Sequence, residues 1–435
     1  MKKIFILCLI ISSAAFAQKP VPAKQQTESI LLTGGTAHIG NGKVIENSLV
    51  GFKGGKLTLV SEAANFDAVK KQYDKIIDIT GKQVYPGFIA MNTNLGLVEI
   101  SAVRATLDYA EVGALNPNVR SVIAYDTDSK IIPTVRTNGV LLAQVTPRSG
   151  LISGSSSVVE LDGWNWEDAT FKTDEGIHLN WSRMFTTGGF MAAAQGIKKN
   201  EEYEKFITNI KKFFADSRAY SEIKDQKEKN LKFEAMRGLF DGNRTLYIHA
   251  DNVKEIMEAV NIAKDAGVKK IVLIGGNEAW RIPEFIKQNN IPVVVERPHS
   301  LPARAEDDVD MPYKLIPILF KQGILVSIDS DGEMSPASNR NIPFYAGTAA
   351  AYGLTKEQAL MTITSNAAKI LGIDDKVGTL ETGKYATLFV SDGDALDMKT
   401  NNVTLAFIEG KNIDLRNEQK ELYYRYMNKY GLKIK

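Results

Sequence analysis

The middle of the chain alternates short β-branched runs with stretches of helical periodicity, and this alternation restricts the fold more than any other feature. The runs lie at residues 140–145, 246–250, 271–274, 293–295 and 324–328. Most are followed by apolar residues at helical spacing, as in the segment that begins near Asn252. Strands that alternate with helices along a chain form a parallel sheet. The pattern therefore predicts an α/β protein.

Both ends of the chain differ from the middle. Residues 28–85 and 376–435 contain short apolar runs separated by glycines and charged residues, and Gly54-Gly55 has the composition of a hairpin turn. We therefore expect both ends to be rich in strands. The charged stretch 201–240 repeats aromatic and aliphatic residues on one helical face, which favours a helix packed on the outside of a barrel over one that binds a membrane.

The first residues have the composition of a secretory signal peptide. Lys2 and Lys3 precede an apolar run over residues 4–11, and Ala15-Phe16-Ala17 matches a cleavage site before Gln18. The apolar run is too short to cross a bilayer, and no later window approaches the roughly 20 apolar residues that a spanning helix needs. We expect residues 1–17 to be removed and the mature protein to be periplasmic or secreted, without membrane attachment.

Cysteine content and net charge exclude several classes of function. Cys8 is the only cysteine and lies in the signal peptide, so a mature chain has no disulfide, cysteine nucleophile or thiolate metal site. The formal charge of +2 falls to zero once Lys2 and Lys3 are removed. No overall positive field then attracts nucleic acid, and a small or neutral substrate is the better match.

The segment 84–97, with the sequence VYPGFIAMNTNLGL, resembles the first barrel strand of the amidohydrolase superfamily, near its imidazolonepropionase-like branch. Further motifs of this resemblance lie at Gly34-Gly35-Thr36, Gly40-Asn41-Gly42, residues 351–354 and residues 377–386. The resemblance spans nearly the whole mature chain. It implies a TIM-like (β/α)8 barrel over residues 86–375, and a small composite β-sandwich to which residues 28–85 contribute the first part and residues 376–435 the second part and a C-terminal tail.

The resemblance also implies a site at the C-terminal ends of the barrel strands that holds one or two metals. A bound metal lowers the pKa of a water molecule and polarises the scissile carbonyl, while a carboxylate moves the proton. The family carries His-x-His where Asn92 and Asn94 stand, and its sixth-strand histidine is missing at Gly276 and Glu278. His249 and Asp329 match the fifth-strand histidine and the eighth-strand aspartate.

These matches define the predicted site. His249 and Asp329 are the candidate catalytic residues and metal ligands, and Asn92, Asn94, Gly276 and Glu278 are the candidate substrate-binding residues. Carboxamides bind zinc far less well than imidazole does. Because the chain has only four histidines, a histidine-rich binuclear centre is excluded. We expect at most one divalent metal, with zinc the first candidate, weakly bound or absent.

Each site residue also has a purely structural interpretation. His249 could hydrogen-bond a neighbour at the rim, and Asp329 could cap a helix or pair with an arginine. The glycine- and serine-rich stretch 150–157 could be a flexible loop over the site, or an ordinary connection. The tryptophan-containing segments 164–168 and 178–181 fit packing better than substrate binding, and His38 and His299 fall outside the matched positions.

Two functional hypotheses follow. In the first, an exported hydrolase cleaves a cyclic or other non-peptide carbon–nitrogen bond in a small molecule, with Asp329 as general base and acid and His249 orienting the carbonyl or holding one metal. In the second, the chain is a pseudoenzyme that binds a ligand, or a partner subunit of an active relative that keeps His-x-His. A homo-oligomer fits either hypothesis, and the sequence alone does not discriminate between them.

Overall fold

The computed structural model describes residues 21–187, 197–223, 227–302, 304, 306–330 and 336–433. The predicted signal peptide, residues 1–17, lies outside these ranges. Within them, none of the helices combines the length and the apolar composition that crossing a membrane requires.

Eight strands form one sheet in which each strand pairs with the next along the chain. In order, the first to eighth barrel strands are Phe88–Thr93, Val140–Val145, Ile152–Glu160, Thr170–Asn180, Thr245–Ala250, Ile271–Gly275, Val293–Val295 and Val326–Ile328. A parallel bridge between Met91 and Asp329 brings the first strand beside the end of the eighth. The sheet is therefore a nearly closed barrel, which confirms the predicted α/β class and the TIM-like architecture.

The third strand departs from the predicted (β/α)8 pattern, because it runs antiparallel to both of its neighbours. A parallel crossover needs about a dozen residues or more, whereas the second and third strands are joined by residues 146–151 alone. Ser149 and Gly150 in this turn have φ of 88° and 66°. The interpretation of residues 150–157 as a flexible loop is thus wrong, since the third strand is buried along its length.

Helices cover the outside of the barrel after most of the parallel strands. The α-helices are Phe66–Val69, Ile131–Arg136, Trp166–Ala169, Tyr203–Glu222, Leu231–Asp241, Val253–Asp265, Pro283–Gln288, Met311–Lys321, Ile342–Ala351, Lys356–Thr362, Ser365–Leu371 and Glu418–Lys429. Shorter 3-10 helices are Ala63–Asn65, Lys70–Gln72, Arg104–Thr106, Ser121–Ala124, Ala279–Arg281 and Pro336–Asn341. The helix Val253–Asp265 buries Ile256, Ala259 and Val260 at the predicted helical spacing.

Two further sheets lie outside the barrel. One has four strands in the order Lys56–Glu62, Ser48–Lys53, Ile30–Thr33 and Lys75–Asp78; the other has six, in the order Lys411–Asn412, Val403–Ile408, Leu388–Ser391, Gln83–Pro86, Thr36–His38 and Val44–Ile45. The six-stranded sheet thus joins strands from both ends of the chain. Phe52, Val84 and Phe407 belong to one hydrophobic cluster that the two sheets share. A separate two-stranded ribbon pairs Phe185–Thr187 with Ile197–Lys199.

The predicted hairpin turn lies where it was expected, between the strands Ser48–Lys53 and Lys56–Glu62. Its two residues, Gly54 and Gly55, have φ of 57° and 79°. Two-residue hairpin loops of this kind need a positive φ at both positions, which glycine adopts without steric cost.

Candidate active site

The polar residues that end the first and eighth barrel strands contact each other in the barrel. Asn92 is the fifth residue of the first strand, and Asp329 directly follows the eighth. Asn92 Nδ2 donates a hydrogen bond to Asp329 Oδ2 at 2.9 Å, and both side chains are buried. Asn92 has a φ of 47°, unusual for a residue with a side chain. The strand thus bends locally where its side chain meets the carboxylate.

Arg148, which the sequence did not single out, completes a group with these two residues. It follows the second barrel strand and is half-buried. Its Nη1 donates to Asn92 Oδ1 at 3.1 Å, and its Nη2 donates to the Asn92 carbonyl oxygen at 2.7 Å. We call Asn92, Arg148 and Asp329 the rim cluster. It places a guanidinium and a carboxylate on opposite sides of one carboxamide.

A second group of polar residues runs through the third, fourth and fifth strands. His249 Nε2 lies 2.9 Å from His178 Nδ1, and His178 Nε2 lies 2.8 Å from Ser156 Oγ. Ser156 Oγ in turn donates to Glu175 Oε1 at 2.6 Å. We call Glu175, Ser156, His178 and His249 the inner chain. It extends from a buried carboxylate to the half-buried histidine that the resemblance placed in the site.

Tyr247 and Gln144 hold the inner chain in place. The Tyr247 ring stacks on the His178 ring, with 4.7 Å between centroids, and its hydroxyl donates to Glu175 Oε2 at 2.8 Å. Gln144 Nε2 donates to Glu175 Oε1 at 2.6 Å, while Gln144 Oε1 accepts from the backbone N–H of Asn92 at 2.9 Å. Gln144 therefore connects the inner chain to the rim cluster in one hydrogen-bonded network.

Burial determines the ionisation of the inner chain. It lowers the pKa of His178 well below its usual value, and the charges of His249 and Arg148 lower it further. Burial raises the pKa of Glu175, although hydrogen bonds from Ser156, Gln144 and Tyr247 act in the opposite direction. His178 is thus a neutral imidazole at pH 7, with one nitrogen that donates and one that accepts.

The other predicted substrate-binding residues lie in different surroundings. Asn94 is half-buried, and its carbonyl accepts from the Leu97 N–H. The Gly276 N–H donates to the Ala250 carbonyl at 2.9 Å. The buried carboxylate of Glu278 accepts from the Val253 N–H at 3.0 Å, at the start of the helix Val253–Asp265, and pairs with Arg304. The side chain of Glu278 thus stabilises a helix N-terminus.

The two remaining histidines lie away from the inner chain. His38 contacts Glu357 and Gln83 beside the six-stranded sheet, and His299 contacts Thr348. Sequence reasoning missed His178, Glu175, Gln144 and Arg148. A positional signal existed for Arg148 alone, since it is a charged residue just beyond an apolar parallel strand, as Asp329 is.

The described residues do not fit the metal that the resemblance implies. Catalytic zinc is held by three protein ligands, and no group of three His, Cys, Asp or Glu side chains within the described ranges is placed to hold an ion. His249 Nε2 faces His178, and Asp329 Oδ2 accepts from the amide of Asn92. That amide presents a donor to Asp329, and its oxygen faces Arg148 rather than an ion.

Comparison with known proteins agrees with this architecture. The family model described as the amidohydrolase family matches residues 176–413. A 5'-deoxyadenosine deaminase from Methanobrevibacter smithii is 22% identical over 383 residues, which cover 80% of this chain and 82% of that protein. The crystal structure of an amidohydrolase from Thermotoga maritima has a TM-score of 0.76 at 26% identity, over 89% of this chain and 100% of that one.

More distant solved structures share the fold alone. The crystal structure of the A. niger ochratoxinase has a TM-score of 0.53 at 15% identity, over 88% of this chain and 95% of that one. At this identity the likeness concerns the arrangement of strands and helices, and carries nothing about substrate.

Proposed function

Since the chain belongs to the amidohydrolase family, we propose that it hydrolyses a carbon–nitrogen bond of a small molecule at the rim of its barrel, with Asp329 moving the proton. One observation carries this proposal: the Asp329 carboxylate is held at the end of the eighth strand by Asn92, which also binds the Arg148 guanidinium. A base and a cation are thereby fixed on either side of one side chain.

The substrate class that we propose is a non-peptide amide, a cyclic amide or an amino-substituted ring. The curated relative from Methanobrevibacter smithii is named as a deaminase, and deamination also replaces a carbon–nitrogen bond by a carbon–oxygen bond. The zero net charge expected of the mature chain favours a small neutral substrate over a polyanion. Asn94 and Gly276 remain candidates for binding it.

The proposed reaction needs one water molecule. The Asp329 carboxylate takes a proton from water while the water oxygen bonds to the carbon of the amide or ring, and the electron pair of the carbonyl or imine moves onto its heteroatom. When this intermediate collapses, the carbon–nitrogen bond breaks and Asp329 returns the proton to the leaving nitrogen. His249 orients the group that is attacked.

The negative charge that develops on the attacked group during the reaction requires a hydrogen-bond donor that stabilises it. Arg148 carries five N–H donors in a rigid plane and cannot be deprotonated at neutral pH. Because the described residues do not form a three-ligand set, we propose that this guanidinium stabilises the developing negative charge. Preorganised donors at such a position contribute about 3–4 kcal/mol to the lowering of an activation barrier.

The test is turnover by the mature chain and an Asp329→Asn variant. Candidate substrates are 5'-deoxyadenosine, five- and six-membered cyclic amides and N-acyl amino acids, with released ammonia, amine or carboxylate measured. The variant should lose roughly 10²–10⁴-fold in kcat, the usual contribution of a general acid–base residue. Asp265→Asn, at an exposed aspartate, is the matched control and should be unaffected. Full turnover by Asp329→Asn would remove Asp329 from the mechanism.

A second candidate function is a non-catalytic one. The Asp329 side chain is fully buried, while Asn92 contacts Asp329 and His178 contacts His249. A network of this kind also suits a pseudoenzyme that binds a ligand, or a partner subunit of an active relative that carries His-x-His. Affinity purification from the native periplasm tests the partner role, and recovery of this chain without any related hydrolase would count against it.

We also propose that the chain is exported. The N-terminal pattern of two lysines, a short apolar run and Ala15-Phe16-Ala17 supports cleavage before Gln18. The mass of the mature protein recovered from its native host, together with N-terminal sequencing, tests this directly. A chain that keeps residues 1–17 would contradict it. Light scattering on the same sample gives the oligomeric state.

A further inference from the structure

We infer that Glu175, acting through Ser156 and His178, fixes which nitrogen of His249 carries the proton. Glu175 is then a positioning residue for the site, because its carboxylate contacts Gln144, Ser156 and Tyr247 and acts on His249 through other side chains. The inference shares His249 with the proposed function. It is tested without turnover, so its failure and the failure of the hydrolase proposal are distinguishable.

The first step is the orientation of Gln144. Its Oε1 is the atom that accepts from the Asn92 backbone N–H, which can only donate. The amide nitrogen of Gln144 therefore points the other way, to Glu175 Oε1 at 2.6 Å. An amide nitrogen is a donor only, so Glu175 Oε1 is an acceptor. This assignment does not depend on any choice of histidine tautomer.

The second step is the single proton of Ser156. Glu175 Oε1 accepts from Gln144, and Glu175 Oε2 accepts from the Tyr247 hydroxyl at 2.8 Å, so the carboxylate is surrounded by donors. Ser156 Oγ lies 2.6 Å from Glu175 Oε1 and gives its proton to it. Ser156 Oγ is then an acceptor toward His178.

The third step passes this direction through His178. Its Nε2 lies 2.8 Å from Ser156 Oγ and must be the nitrogen that donates. His178 is fully buried, and its two nitrogens contact an imidazole nitrogen and a hydroxyl rather than a carboxylate, so the ring is neutral and its Nδ1 carries the lone pair and accepts. His249 Nε2 lies at hydrogen-bond distance from that lone pair, at 2.9 Å. His249 Nε2 is therefore protonated.

The consequence concerns what His249 can do in the site. A neutral His249 with its proton on Nε2 has its lone pair on Nδ1, and only that nitrogen accepts a hydrogen bond or binds a cation. Reversing the direction of the inner chain would move the lone pair to Nε2. The fixed tautomer of a histidine is commonly set by the partner of its other nitrogen, and here that partner is a second histidine.

The experiment is nitrogen-15 NMR of the full mature chain labelled in histidine, with His249→Asn used to assign the His249 signals. We expect His249 Nε2 to have the shift and the one-bond coupling of a protonated nitrogen, and Nδ1 those of an unprotonated one. An unprotonated Nε2 would overturn the inference. A divalent metal that binds directly to His249 Nε2, seen as a change in the nitrogen-15 shift of that atom and loss of its proton coupling, would also overturn it.

Two serine variants distinguish the effect of the inner chain from a general effect on packing. Ser156→Ala removes the link between Glu175 and His178, and should replace the single His249 tautomer by a mixture. Ser327→Ala removes another buried hydroxyl of the barrel, which donates to the Thr362 carbonyl at 2.7 Å, and should leave the His249 signals unchanged. Unchanged signals in Ser156→Ala, with the fold retained by circular dichroism, would also overturn the inference.

Discussion

His178 Nδ1 lies 2.9 Å from His249 Nε2, so the histidine expected to bind a metal is hydrogen-bonded to a second histidine of the neighbouring strand. The two residues are offset by two positions in the strand register, since His178 pairs with Tyr247 and Asn180 pairs with His249 across the parallel strands. A metal at His249 Nε2 would have to displace this contact. The contact thus bears directly on whether the family's cofactor is retained.

Metal content should accordingly be well below one ion per chain. His249 and Asp329 each contact another side chain of the network, and two ligands are fewer than the three that catalytic zinc takes. Mass spectrometry for zinc, manganese and iron on protein purified without chelators measures this, with His249→Ala as the paired control. About one ion per chain that disappears in the control variant would contradict the prediction.

Gly176→Ala should destabilise the protein by about 1–3 kcal/mol, the usual cost of overpacking a core. A Cβ at Gly176 would lie 2.2 Å from Tyr247 Cε2. Tyr247 is fully buried, stacks on His178 and donates to Glu175, so its ring has no room to move without breaking the inner chain. Urea unfolding of the variant measures the loss.

The control for this prediction is a double-mutant cycle with Tyr247→Ala. That substitution removes the ring with which the new Cβ collides, so Gly176→Ala should cost much less in that background. An equal cost in both backgrounds would show that the collision with Tyr247 is not the cause.

His38 should titrate above its ordinary value of 6.5. Burial lowers the pKa of His38, but hydrogen bonds to Glu357 and Gln83, with the charges of Glu357 and Asp394, together raise it. The protonated ring stabilises the contact between the six-stranded sheet and the helix Lys356–Thr362 fully below pH 6.5. That stability is lost as pH rises through the pKa of the folded protein.

An NMR titration of the His38 ring protons measures this pKa. Glu357→Gln should lower it, because the substitution removes the negative charge that contacts the ring. Glu204→Gln, at an exposed position on the helix Tyr203–Glu222, changes the net charge equally and should leave the His38 pKa unchanged. A pKa of His38 below 6.5 in the unmodified protein would contradict the prediction.

Local sequence patterns predicted the strands and helices in which the apolar residues of the element itself recur at regular spacing. The fifth to eighth barrel strands, the helix Val253–Asp265 and the turn at Gly54-Gly55 follow from such patterns. The third strand was missed because glycine and serine at 150–157 are typical of a loop. Ser156 is stable in a buried strand only because Glu175 and His178 satisfy its hydroxyl, and such partners are invisible to a local pattern.

The site, like the fold, was predictable only in part. Asn92, His249 and Asp329 were located from a motif, and the structure places them at the ends of the first, fifth and eighth strands. Their partners were not predicted, because the contacts join residues far apart in the chain: 71 positions separate His178 from His249, and 56 separate Arg148 from Asn92. Only the closure of the barrel brings these side chains together.

Lys411→Met should destabilise the protein more at high pH than at low pH. Lys411 Nζ lies 3.1 Å from Glu160 Oε2, and both side chains are largely buried. Burial raises the pKa of Glu160 to about 7, although Lys411 partly offsets this. The folded protein therefore binds a proton more tightly than the unfolded one, so its stability falls as pH rises from the ordinary glutamate value of 4.5 to about 7.

Without Lys411 the pKa of Glu160 rises further, and the fall in stability continues to higher pH. Since each pKa unit is about 1.4 kcal/mol, the cost of Lys411→Met should be up to about 2 kcal/mol greater at pH 8.5 than at pH 5, where Glu160 is neutral with or without its partner. Urea unfolding at the two pH values measures this difference, and Lys399→Met at an exposed lysine is the control. A cost that is equal at both pH values would contradict the prediction, because it would mean that Lys411 does not change the proton binding of Glu160 between them.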